Sequence, residues 1–128
     1  MVSTPILLEI DVALDSRLFT HFDEAAITTL YELLGEDYKV LLTTYLDDSE
    51  KHVKKLAQLI DNHDGEGLTR AAHALKGISA NVGVLKFSDL CKHMEFSARD
   101  NDLDGCKATL PALQEEYNAI NQLIRECL

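Results

Sequence analysis

Leu68 to Gly83 reads LTRAAHALKGISANVG, and a helix drawn through it sorts its residues onto two unlike faces. At 100° per residue, Leu68, Ala71, Leu75, Ile78 and Val82 fall within about 40° of the direction opposite His73, which makes theirs the side expected to be buried. Thr69, Arg70, Lys76, Gly77 and Ala80 share the side of His73, with Glu66 a turn earlier. The imidazole therefore points at solvent or at a partner.

Two neighbours set this face apart from an ordinary solvated one. Gly77 is a glycine inside a helix, which costs roughly 1 kcal/mol relative to alanine. With no side chain there and only a methyl at Ala80, another protein can come close to the imidazole. Lys76 lies about one helical turn from the ring and can neutralise an anion approaching His73. A flat approach, a nucleophilic nitrogen and a cation together point to phosphoryl chemistry.

The run AHALKGISANVG resembles the signature of the histidine-containing phosphotransfer (HPt) domains of bacterial two-component phosphorelays, matching at His73, Leu75, Lys76, Gly77, Ala80 and Gly83. The resemblance implies a helical bundle in which His73 carries the phosphoryl group, Lys76 supports it as a cation and Gly77 provides clearance. Aligning the next helix antiparallel about Gly83 brings Glu95 near the level of His73. In HPt domains a polar residue at about this place often hydrogen-bonds the imidazole. A carboxylate there can hold the tautomer that leaves the other ring nitrogen free. Arg70 flanks the histidine and, with Lys76, Gly77 and Ala80, is a candidate for partner contact.

Outward from this helix the periodicity continues. From Asp37, the residues Leu42, Tyr45, Leu46, Val53, Leu56 and Ile60 form a seven-residue repeat with no breaker before Asn62, opposite a charged face of Asp47, Asp48, Glu50, Lys51, Lys54 and Lys55. Asp61 to Gly65 reads as a turn, with Asp64 as N-cap of the histidine helix. Phe87, Leu90, Cys91, Met94 and Ala98 make the stripe of a return helix that ends at Asn101-Asp102. Cys106, Leu110, Leu113, Tyr117, Ile120, Ile124 and Cys127 then alternate steps of four and three. Pro111 interrupts this last seam, either as a kink or as the start of its longer half. Before all of these, Phe22, Ala26, Leu30 and Leu33 suit a short amphipathic helix stopped by Gly35.

The expected fold is thus all-α, an antiparallel up-and-down four-helix bundle with an additional short N-terminal helix or arm. Residues 1–18 are left as an unassigned arm and residues 19–128 are read as the HPt domain. A length of 128 residues suits a single domain with its own core. Two prolines and six glycines leave little room for strand-and-turn architecture. The net charge of −10 argues against nucleic acid or an anionic membrane as partner. Three dispersed cysteines, Cys91, Cys106 and Cys127, fit reduced thiols better than a disulfide framework. The apolar patch Pro5 to Leu8 has no basic flank and soon meets Glu9 and Asp11, so no signal peptide is expected. With no apolar run of membrane-spanning length a cytoplasmic protein is expected, and with apolar stripes sufficient only for the bundle's own core, a monomer.

By this reading the chain is a phosphoryl carrier and not an enzyme. Its partners are the receiver domains of a hybrid sensor kinase and of a response regulator, and Mg²⁺ belongs to the receiver while the chain holds no cofactor or metal of its own. Neither G-x-x-x-x-G-K-[ST] nor G-x-G-x-x-G occurs, so no ATP site or autokinase activity is expected. His21, His52, His63 and His93 read as surface or loop residues, and no HExxH or paired ExxH supports a metal bundle. The rival is an unphosphorylated helical module that docks a receiver or another partner through the Arg70 to Ala80 face.

Overall fold

A computed structural model describes residues 21–127. The expected arm, residues 1–18, and the start of the domain expected from residue 19 lie outside that range. Among the described residues five helices follow in order: α1 (Glu24–Leu34), α2 (Asp37–Asp61), α3 (Gly65–Asn81), α4 (Leu85–Arg99) and α5 (Leu103–Cys127). Helices α2 to α5 form an antiparallel ring in which α3 packs on α2 and α4, and α5 on α4 and α2. Short α1 packs on α2.

Local chemistry sets the ends. Asp23, Asp64 and Asp102 each turn a side-chain oxygen onto a first-turn backbone N–H, of Ala25, Gly67 and Gly105 respectively. Between helices the chain reverses through one residue with positive φ: Gly35, His63, Gly83 and Asn101. Gly83 is the most constrained of these. Its φ is 89°, and a Cβ there would sit 3.3 Å from the Ala26 Cβ. The same turn accepts two bonds from outside the hairpin, from the Asp23 N–H to the Gly83 carbonyl (3.0 Å) and from the Tyr38 hydroxyl to the Val82 carbonyl (3.0 Å). Helix α1 and the start of α2 thereby fasten the α3–α4 hairpin.

The core follows the seams. Leu42, Tyr45, Leu46, Val53, Leu56 and Ile60 of α2 are buried, as are Phe87, Cys91, Met94 and Ala98 of α4 and Cys106, Leu113, Tyr117, Ile120 and Ile124 of α5. Burial of each large apolar side chain is worth roughly 1.5–3 kcal/mol. The Tyr117 hydroxyl reaches the Leu46 carbonyl at 2.6 Å, and its ring tilts against Phe87. Cys91 and Cys106 are free and buried, and burial pushes the Cys91 thiol up to about 12. Pro111 sits within one continuous helix, at an exposed position where it removes one backbone N–H.

Two faces differ from expectation. In α3 the buried residues are Leu68, Ala72, Leu75 and Ser79, an arc turned by about 50° toward the side of Lys76. Ile78, expected inside, is 40% exposed, and Ala71 is only partly covered. The cause is α4, which closes on the Lys76 side, where the Ser88 hydroxyl donates to the Lys76 carbonyl at 2.9 Å. Ser79 can be buried because its hydroxyl pairs with that of Tyr45 at 2.7 Å. In α1 the buried residues are Ile27 and Tyr31, while Leu33 is exposed and Ala26 and Leu30 are partly covered. This short helix meets the bundle along one narrow line.

Candidate functional site

His73 stands near the middle of α3 with 66% of its side chain exposed. Its Nδ1 lies 2.9 Å from Oε2 of Glu95, a carboxylate that is only 1% exposed. The hairpin makes this meeting possible, since it carries Glu95 of α4 back to the level of His73. Lys76 Nζ donates to the other oxygen, Oε1, at 2.8 Å, and Arg99 Nη2 donates to Oε2. One buried carboxylate thus gathers an imidazole, an ammonium and a guanidinium.

The electrostatics follow from these neighbours. Burial is the largest single influence on Glu95 and by itself would raise its pKa. Hydrogen bonds and charge from Lys76 and His73 outweigh it, and the pKa ends below the ordinary 4.5 of a glutamate. Glu95 is therefore an anion near neutral pH. An anion at Nδ1 favours the tautomer with its proton there, and the exposed Nε2 is left with a free lone pair.

The remaining candidates are spread along the same face. Gly77 is exposed, and a Cβ placed on it would meet nothing within 4 Å. Among the described residues no neighbour fills the space beside it. Ala80 is exposed as well. Arg70 pairs with Glu66 at 3.4 Å, and shares with Arg99 a shallow cleft bounded by Gly65, Thr69, Ala98 and Asn101. Lys76 is turned inward onto Glu95 and is not free beside the ring. Arg99 was not a candidate from the sequence, although its place four residues after Glu95 on a helix was a usable signal. Of the other histidines, His21 departs from a plain surface residue. It is 16% exposed and its Nδ1 bonds Oε2 of buried Glu116. Among the described residues, no group of three or more His, Cys, Asp or Glu side chains is arranged to hold a metal ion.

The Hpt domain family model matches residues 40–123, which include all of α3 and α4. The chain belongs to the Hpt family. Histidine-containing phosphotransfer protein B from Pseudomonas aeruginosa is similar at 30% identity over 83% of this chain and 92% of that one, with a TM-score of 0.80. A histidine-containing phosphotransfer protein from maize shares the fold, with a TM-score of 0.82 at 23% identity over 95% and 94% of the two chains. Among curated proteins, pseudo histidine-containing phosphotransfer protein 2 of Oryza sativa subsp. japonica is 25% identical over 80 residues, or 61% of this chain. The chain spans about half (53%) of that curated relative's length. This Hpt chain carries a histidine, His73, at the crest of its central helix.

Proposed function

We propose that this Hpt protein is a phosphoryl carrier, taking a phosphoryl group onto His73 from the aspartyl phosphate of one receiver domain and passing it to the aspartate of another. The observation that carries the proposal is an exposed imidazole whose Nδ1 is held by a buried, ionised Glu95. The Nε2 lone pair attacks phosphorus, and the N–P bond forms as the bond from phosphorus to the aspartate oxygen breaks. The electron pair leaves with the receiver carboxylate. As the ring gains positive charge its Nδ1 proton stays on the bond to Glu95, which stabilises the cation. Transfer to the second receiver is the same step in reverse.

Such transfers pass through a loose transition state, in which positioning and charge neutralisation supply most of the catalysis. The open ground at Gly77 and Ala80 allows an in-line approach, and Lys76 and Arg99, held on Glu95 beneath the ring, are the cations that would turn toward the phosphoryl oxygens. Mg²⁺ is assigned to the receiver, and the carrier works without a cofactor, an ATP site or autokinase activity. One partner is the receiver of a hybrid sensor kinase and the other that of a response regulator. We place the protein in the cytoplasm as a monomer; among the described residues no helix is long and apolar enough to cross a membrane.

The test is transfer from a radiolabelled phospho-receiver to the wild type and to His73→Gln. Label on the wild type alone, removed by acid and spared by alkali, is the expected result. No label from any of several receivers, with binding retained by the variant, would make this face a docking surface without relay chemistry.

A further inference from the structure

The charge of the chain is unevenly placed. Against a net −10 overall, residues 65–99 carry five cations, Arg70, Lys76, Lys86, Lys92 and Arg99, and three anions, Glu66, Asp89 and Glu95. The α3–α4 hairpin is thus an island of net positive charge on an acidic protein, on which Arg70 is paired with Glu66, Lys76 and Arg99 with Glu95, and Lys86 with Glu116 of α5. One of its anions, Glu95, is buried beneath the site.

On this island, immediately after Glu95, stands Phe96, which is 46% exposed. A single exposed phenylalanine is ordinary, but this one is held. Lys92 Nζ and Arg99 Cζ each lie 5.7 Å from its ring centroid, one a helical turn before it and the other a turn after. Arg99 also donates to the Glu95 oxygen that holds His73. An unbroken line of contacts therefore runs from His73 through Glu95 and Arg99 to Phe96 and Lys92. Beyond Phe96 a small cleft opens, lined by Asp89, Lys92, His93 and Phe96.

We infer that Phe96, set between Lys92 and Arg99, is a docking anchor on the α4 side of His73, and that it fixes which receiver this protein prefers. The occupant is a receiver whose active-site rim carries carboxylates around an apolar contact. This inference rests on the carrier reading and adds to it the partner's surface chemistry. An aromatic ring already ordered by its neighbours loses little freedom on binding, and centrally placed aromatic and arginine side chains carry much of the energy of protein interfaces. The flanking cations supply attraction and register toward acidic surfaces. Phe96 touches no reacting atom, so its effect falls on encounter and not on the chemical step.

The experiment measures both transfer and equilibrium binding for a panel of receivers, using wild type, Phe96→Ala, Phe96→Tyr and Lys92→Gln. Phe96→Ala is expected to raise the half-saturating concentration for the preferred receiver about tenfold, with the maximal transfer rate within twofold and the unfolding midpoint unchanged. Phe96→Tyr restores wild-type behaviour, and Lys92→Gln lowers the salt dependence of binding. Unchanged affinity of Phe96→Ala for every receiver that wild type binds overturns the inference while the carrier reading stands. A wild type that binds receivers but never takes label overturns the carrier reading, and weakened binding by Phe96→Ala then still supports the anchor. A wild type that binds no receiver overturns both.

Discussion

The molecule builds the same three-residue arrangement twice. At one end of the comparison, His73 Nδ1 and Lys76 Nζ meet Oε2 and Oε1 of Glu95; at the other, His21 Nδ1 and Lys86 Nζ meet Oε2 and Oε1 of Glu116. Both carboxylates are buried, at 1% and 5% exposure. The histidines differ, with His73 66% exposed on the crest of α3 and His21 tucked against α5 just ahead of α1. A carboxylate-held imidazole is therefore not by itself a relay centre. Exposure of the second nitrogen and bare ground beside it separate a group that can meet a partner from one that clips the chain together.

The sharpest break in the comparison is His73→Gln against His21→Gln. The first should abolish phosphoryl transfer and leave the unfolding free energy within about 0.5 kcal/mol of wild type. The second should leave transfer intact and lower stability by roughly 1–2 kcal/mol, read by denaturant unfolding. Exchanging the carboxylates comes next. Glu95→Gln should slow transfer roughly 10–100-fold, the usual cost of losing a carboxylate that orients a functional imidazole. Glu116→Gln should lower stability by about 1–3 kcal/mol with no change in transfer rate. A smaller effect tests the bare ground: Gly77→Leu should cut transfer about tenfold by obstructing approach, yet raise stability by roughly 0.5–1 kcal/mol because leucine is the better helix former.

The smallest effect is one of pH. Because the pKa of Glu95 is lowered on folding, its contribution to stability is fully present above the ordinary 4.5 and is lost as pH falls through the lower folded value. Unfolding free energy measured below pH 4.5 should therefore fall more steeply for wild type than for Glu95→Gln. Equal slopes would mean that the three donors do not hold the carboxylate ionised.

These contrasts also show how far sequence reasoning reached. The long seams of α2, α4 and α5 were legible because one helical period of apolar residues was enough to place them. The buried face of α3 lies about 50° from the one its apolar residues mark, since hydropathy shows where apolar residues lie and not which neighbour closes over them. Ile78 stayed outside and Ser79 went in, the latter through a bond to Tyr45 that no apolar pattern reveals. Glu95 can be placed beside His73 by counting along two helices from Gly83, and Arg99 follows from Glu95 by the four-residue spacing that brings side chains together on a helix. The pairing of His21 with Glu116 joins positions 95 residues apart and leaves no local trace.

The turn at Gly83 has a kinetic consequence as well. His73 and Glu95 are 22 residues apart, while the bond from Tyr117 to Leu46 spans 71. Loop-closure entropy favours the shorter connection by about 1 kcal/mol. In a chain that folds from local contacts outward, the hairpin's pairing of imidazole and carboxylate is among the first tertiary contacts to become favourable. The α5 helix then packs onto α4 and α2, beside a hairpin whose centre is already arranged. Substitutions in the hairpin should slow folding, while those at the Tyr117–Leu46 contact should mainly speed unfolding.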